Sequence, residues 1–406
     1  MSFSKNGVPG RGTDAFGRFP VSNPVTLFDY QSQYDAGPLF WETKLTGTAT
    51  SEFKPLTAEV DLTVVADGDR AVRQTRQYFR YQPGKSQLVM MTATLHSEGE
   101  MFICKRSNVT GTVVDTKVPE EDWFFRDTTA ATQIRQYRYD LDDSKAQILV
   151  IDMEWLGVGS VRVGHVVDGV FVPFHAFHHA NVLSDVYMTT ANLPLRYEIE
   201  RDGDFIYKRY GYFDDLNGIY HEQKALVDDN YMSCICGTVI SEGGFEESRG
   251  IPFSVNNGVT EISVTTRRPV LSIRPKTTFN SITNRGTIIP NALKAFSSSE
   301  PVLLEIVYNG TLANASFASV DANSITEYDV AADGISGGIV VDSLYIPASS
   351  NGSVDSPSTE ASSVTSRLPL TIDIAGENPI NLSIVATLTS GTTTDVLASA
   401  SWQEIR

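Results

Sequence analysis

Apolar and polar residues alternate with a period of two along most of this chain, the signature of strands with one face in a core. Val60 to Val65 alternates and runs into the turn Asp67-Gly68-Asp69. Arg73 to Tyr81 and Ser86 to Leu95 are rich in strand formers and flank Gln82-Pro83-Gly84-Lys85, which reads as a hairpin or tight corner. Gln147 to Leu156 begins as a buried strand. Ser160 to Val167 and Val170 to Phe177 flank Asp168-Gly169, a strong hairpin signal because a type I′ turn needs positive φ at both central residues. A two-residue loop predicts Val167 opposite Val170, His165 opposite Val172, Val163 opposite Phe174 and Val161 opposite Ala176. The other face then pairs Val166 with Phe171 and Arg162 with His175.

Further strands are expected at 187–190, 195–200, 262–266, 270–273, 302–308, 339–346, 369–374, 381–389 and 396–405. The best helical pattern, Thr128 to Tyr137, is short, and Pro347 to Arg367 is a Ser-rich loop. Many short strands separated by Gly, Pro, Asn and Asp predict an all-β protein, a large antiparallel sandwich of jelly-roll type. No period of 20 to 50 residues recurs, which argues against a solenoid or propeller.

The first 44 residues break this pattern. Pro20, Pro24 and Pro38 interrupt them, yet Phe16, Phe19, Leu27, Phe28, Tyr30, Tyr34, Phe40 and Trp41 make them too aromatic for a solvated linker. They read as an extended arm that packs on its own body or on a neighbour, and as the segment that docks the protein. The organisation expected is an arm at 1–44, a main sandwich at 45–240, and an acidic β-rich part at 241–406, either separate or completing the same sandwich.

Composition narrows the functions. The 406 residues carry 49 acidic and 32 basic side chains, a formal charge of −17. Residues 301–406 hold 12 Asp or Glu against two Arg, a net of −10. Such a balance opposes broad phosphate binding, so neither nucleic acid nor an anionic membrane is expected as a partner. Residues 1–18 are polar and Gly-rich, so no secretory leader is expected. Three cysteines, Cys104, Cys234 and Cys236, cannot build a disulfide framework. On a regular strand Cys234 and Cys236 would share a face.

Candidate chemistry is sparse. His175, His178 and His179 are the best metal constellation, but one site needs the strand to break at His178, and no metal or other cofactor is expected. Asp152 and Glu154 share a strand face at a spacing that a glycosidase pair uses, although pairing with Lys145 or Arg162 fits better. Asp214-Asp215-Leu216-Asn217-Gly218 reads as a turn rather than a Ca²⁺ loop. Arg73, Arg76 and Arg80 with Tyr78 and Tyr81 form a basic aromatic strip, which in an acidic chain suits a protein interface. No catalytic residue stands out.

Four segments carry a family resemblance. Asp14 to Asp29, the run Arg73-Gln74-Thr75-Arg76-Gln77-Tyr78-Phe79-Arg80-Tyr81-Gln82-Pro83-Gly84-Lys85-Ser86-Gln87, Glu154 to Gly164, and Tyr187 to Glu198 resemble tailed-bacteriophage virion structural proteins, often labelled structural or tail-fibre proteins. One departure is Tyr210 to Ile219, expected close after Ser86 to Leu95. The resemblance implies a non-enzymatic virion component that assembles with other virion proteins and with itself, a trimer being favoured. Tail, fibre, baseplate and peripheral capsid are all compatible. The alternatives are a receptor- or glycan-binding module of the particle and, further off, a polysaccharide depolymerase.

Overall fold

A computed structural model describes residues 24–83, 85–123, 142, 144–228, 230–242, 250–258, 262–348 and 368–406. The chain divides into two compact units, 1–245 and 246–406. Every strand pairing described in either unit is antiparallel. The expected helix at 128–137 and nearly all of the Ser-rich loop lie outside the described residues.

The first unit contains β1 (Pro24–Gln31), β2 (Trp41–Thr46), β3 (Thr50–Lys54), β4 (Glu59–Thr63), β5 (Arg70–Thr75), β6 (Phe79–Arg80), β7 (Gln87–Thr94), β8 (Glu100–Ser107), β9 (Val114–Pro119), β10 (Ala146–Met153), β11 (Val161–Val167), β12 (Val170–Phe177), β13 (Asn192–Leu193), β14 (Leu195–Asp202), β15 (Phe205–Phe213), β16 (Gly218–Leu226) and β17 (Tyr231–Glu242). An eight-stranded sheet runs β12-β11-β10-β7-β17-β4-β3, with β1 also paired to β17. A seven-stranded sheet runs β2-β5-β14-β15-β16-β8-β9. One face of each supplies a shared core. Val89, Met91, Leu149, Ile151 and Val163 come from the first sheet, and Tyr197, Ile199, Ile206, Tyr210 and Ile219 from the second. Full burial of each such side chain contributes roughly 1.5–3 kcal/mol. This is the all-β sandwich that the alternation predicts.

The arm is a correction in its aromatic half. β1 pairs with β17 and β2 with β5, so residues 24–46 belong to the sheets. Phe28 and Trp41 are buried in the core, with Leu27 and Tyr30 packed against it. Phe40 lies 6.3 Å from Phe28 and 6.0 Å from Tyr30. Pro24 and Pro38 sit at or outside strand ends, where a missing N–H costs little. Tyr34 is 92% exposed. Phe16 and Phe19 lie outside the described residues.

The Asp168-Gly169 hairpin forms, with φ of 50° and 76° at its two central residues. Val167↔Val170, His165↔Val172 and Val166↔Phe171 pair as expected. Gly164↔Pro173 keeps that register, and a bulge between Gly164 and Val163 then shifts it, giving Val163↔His175, Arg162↔Ala176 and Val161↔Phe177. Pro173 has no N–H for the ladder, and a Cβ at Gly164 would stand 2.0 Å from the Val172 carbonyl oxygen. A second bulge in β17 separates Cys234 from Cys236. Cys234 enters the core, while Cys236 turns out toward Thr92 Oγ1 at 3.2 Å, so the two thiols do not share a face. β6 pairs with β13 rather than with β7, so the two runs that flank 82–85 are not a hairpin.

The second unit has its own core around Trp402, Leu304, Ile306, Ile384 and Val396. A six-stranded sheet carries Arg268–Pro275, Val302–Tyr308, Ile339–Ile346 and Leu382–Leu388, and a four-stranded sheet is organised on Thr394–Ile405. The expected strand at 369–374 is reduced to isolated bridges at Leu370 and Ile372. The segment 187–190 forms bends and no strand.

Candidate binding face

The outer face of the seven-stranded sheet holds the densest polar chemistry of the first unit. In β14 the residues Leu195, Tyr197 and Ile199 point into the core, so Arg196, Glu198 and Glu200 point out. The same alternation presents Tyr207, Arg209 and Phe213 from β15, Tyr220, Glu222 and Lys224 from β16, and Phe102, Cys104 and Arg106 from β8. Register aligns these into rows. One row runs Val72–Glu198–Arg209–Glu222–Phe102, and another Arg70–Glu200–Tyr207–Lys224–Glu100.

Two nearly inaccessible carboxylates organise the face. Glu198 meets Arg196 at 2.6 Å, Arg209 at 2.8 Å and Arg70 at 3.0 Å. Glu222 accepts from Arg209 at 2.7 Å and from Lys117. Arg209 also reaches Glu200 at 2.8 Å, and Asp215 holds Arg196 and Arg70 at 2.9 and 3.2 Å. Burial raises the Glu198 pKa, but Arg196, Arg209 and Arg70 outweigh it and hold the carboxyl well below the usual range. Burial lowers the Arg209 pKa, but Glu198 and Glu222 outweigh it and leave the guanidinium more firmly protonated than usual. Glu198 is therefore a fixed anion, the opposite of what a proton donor to a leaving group needs.

Aromatic rings and cations interleave across the same face. Arg196 lies over Phe213 at 5.3 Å, Phe213 packs on Tyr220 at 4.5 Å, and Arg106 lies over Tyr220 at 5.2 Å. Gly211 sits between Arg196 and Tyr220 in its row. A Cβ there would stand 2.6 Å from both Ile219 O and Tyr220 Cα, so glycine permits the close approach. Arg106 binds Asp115 through two 2.9 Å contacts. Nearer solvent, Lys117 stands 5.6 Å from the Phe102 centroid and 5.7 Å from that of Tyr207, with Arg209 5.2 Å from Tyr207 and Lys224 4.2 Å from Phe205. The side chains of Arg70 and Lys117 are about one-third exposed, and Phe205 is exposed. Hydrogen-bond donors and ring edges thus stand in fixed positions, which suits a hydroxyl-rich ligand.

The residues singled out from sequence lie elsewhere. Arg73, Tyr78 and Tyr81 are buried, which corrects the basic-strip interface. Arg73 points inward, 4.9 Å from the Trp41 centroid, and donates to Ala36 O at 2.6 Å. Arg76 donates to Pro38 O, and burial lowers the Arg80 pKa. The three histidines do not converge. His178 contacts Ser160, while His179 bonds Gly159 O at 2.6 Å and Lys105 Nζ at 3.1 Å and stacks on Tyr187 at 3.8 Å. Among the described residues no group of three His, Cys, Asp or Glu side chains is placed to hold a metal. Asp152 is buried and takes Arg162 Nε at 2.8 Å, the pairing expected from sequence. Asp214 Oδ1 caps the β15–β16 turn, accepting from the Leu216 and Asn217 amides. The outer-face array went unread because its members are far apart in sequence, 128 residues for Arg70 and Glu198 and 145 for Arg70 and Asp215. Its signal was the charged half of the alternation in 195–200.

No family model and no curated protein matches the chain. Solved structures with partial likeness include a Bacillus subtilis protein of unknown function with a galectin-like fold (8% identity, 54% of this chain and 96% of that chain, TM-score 0.20). Others are the Bauhinia forficata lectin in complex with GalNAc (9%, 55% and 100%, TM-score 0.19) and Ulex europaeus lectin I with the methyl glycoside of α-L-fucose (8%, 55% and 99%, TM-score 0.21). At these scores the likenesses assign no ligand to this chain.

Proposed function

We propose that this chain is a non-catalytic structural component of a tailed-bacteriophage particle that recognises a surface glycan. The observation that carries the recognition half is the outer face of the seven-stranded sheet. There Phe102, Tyr207 and Phe205 stand among Lys117, Arg209 and Lys224, over carboxylates that fix the cations in place. Rings beside rigid donors match the alternating apolar and hydroxyl faces of a sugar, and little is lost to ordering them on binding. The test is a glycan array followed by calorimetry with purified host surface polysaccharide. Tyr207→Ala and Lys117→Ala should each weaken binding about tenfold or more, on the scale of a lost interface anchor. Binding unaffected by both changes, or no binding to any glycan, removes this reading.

The particle half rests on the sequence resemblance. A half-buried apolar strip on the outside of the eight-stranded sheet also supports protein contact. Met90, Val166, Phe171 and Ile240 there surround Leu88 and Val150. The occupant proposed is a second copy of this chain, in a symmetric homo-oligomer, with a trimer favoured. Sedimentation of the full chain tests it: a discrete oligomer that Phe171→Asp dissociates is expected, and a monomer throughout overturns it.

A further inference from the structure

Two histidines lie in the middle of the first unit's core, one from each sheet. His165 on β11 and His221 on β16 are each 1% exposed, with ring centroids 5.5 Å apart. Among the described residues neither nitrogen of either ring has a hydrogen-bond partner. Their surroundings are aromatic. Phe174 lies edge-on to His165 at 5.0 Å, while Tyr210 and Trp123 lie 5.3 and 6.1 Å from His221. Buried imidazoles left unbonded each oppose folding, so their place calls for an explanation.

We infer that His165 and His221 form an acid-sensitive latch between the two sheets, closed while both rings are neutral and released by their protonation. An imidazolium here would carry two N–H donors with no bonded acceptor among the described residues, and two such charges would repel across 5.5 Å. The neighbouring strands supply no compensating anion. Across β11, β10 presents Leu149, and across β16, β8 presents Ile103. The next inward groups on β15 and β8 are cations already engaged. Lys208 donates to Leu95 O and Ser97 Oγ, and Lys105 to His179. Inward Gln223 on β16 bonds Ser97. On β12 the nearest ring is Phe174, and Trp123 adjoins the turn Glu120–Asp122, none of whose carboxylates acts on either imidazole.

The pH window follows from linkage. Burial pushes His165 well below its ordinary 6.5, with His221 adding to the shift, and takes His221 to about 3. Above pH 6.5 both states of the chain hold these rings neutral. As pH falls below 6.5 the unfolded chain gains protons that the folded one refuses, so stability declines toward the folded values. Each refused proton shifts the opening equilibrium by up to roughly tenfold per pH unit.

Hydrogen exchange on the full-length protein tests this. Peptides covering β11, β12 and β16 should lose protection between about pH 7.5 and about pH 5.5, after correction for intrinsic exchange. His165→Gln with His221→Gln keeps polar side chains of similar size but no titrating group, and should flatten that dependence. The same dependence in the variant, or none in the wild type, overturns the latch. If the variant fails to fold, imidazole NMR signals of the wild type decide. Two rings still neutral in the folded protein at about pH 5.5 support it, and folded rings titrating near their ordinary value overturn it.

Discussion

Glu198→Gln leaves three guanidinium groups, those of Arg70, Arg196 and Arg209, facing one another without their shared anion. Removing one partner from a buried ionic cluster costs about 3–5 kcal/mol, because the remaining charges stay desolvated. Urea unfolding at neutral pH should show a loss of that order. Because the Glu198 pKa is depressed in the fold, its contribution is present above the ordinary Glu value of 4.5 and is lost as pH falls below it. The gap between wild type and variant should therefore close under acid, beginning about two pH units below the onset of the histidine pair's effect at 6.5. Residue types were a poor guide at this scale. Arg73 and Tyr78 looked like surface contacts, yet Arg73 sits inward against Trp41, whereas Arg196 is almost fully buried on the opposite face of the sheet. Strand parity decided which, and bulges and strand ends moved the parity where glycine and proline permitted it.

At the scale of elements, the strands were legible because alternation and turn residues are local. The sheets were not, because pairing joins segments far apart in sequence. β1 and β2 show the difference most clearly. Read locally, 24–44 is a Pro-broken aromatic arm. In the fold it contributes an extra strand beside β17, the edge strand against β5, and two buried rings, Phe28 and Trp41. Two truncations separate these views. A chain beginning at Asn23 should unfold at close to the full-length denaturant midpoint in its first unit. A chain beginning at Leu45 loses both rings, each about 3–5 kcal/mol by analogy with truncation to Ala, together with two strands. Its first unit should be unfolded or collapsed without fixed packing, as near-ultraviolet circular dichroism would reveal. A native spectrum from the shorter chain would restore the separable arm.

At the scale of the whole molecule, the contact division at 245/246 coincides with a division of chemistry. All six histidines, His96, His165, His175, His178, His179 and His221, belong to the first unit, and the second has none. Composition made that visible, but not its consequence, since His165 and His221 meet only through the pairing of their two sheets. The second unit can lose stability to acid only through its carboxylates, which act below about pH 4.5 when held ionised by their partners. Its buried Glu404 accepts hydrogen bonds from Ser324, Ile325 and Thr326. Separate chains covering 1–245 and 246–406 should each unfold cooperatively, since each has its own core. Trp402 reports alone on the second, and Trp41, Trp123 and Trp155 on the first. Between about pH 7 and about pH 5, tryptophan fluorescence in urea should show a falling midpoint for 1–245 and a level one for 246–406. Equal falls in both would place the acid sensitivity in charge shared along the chain rather than in the buried imidazoles.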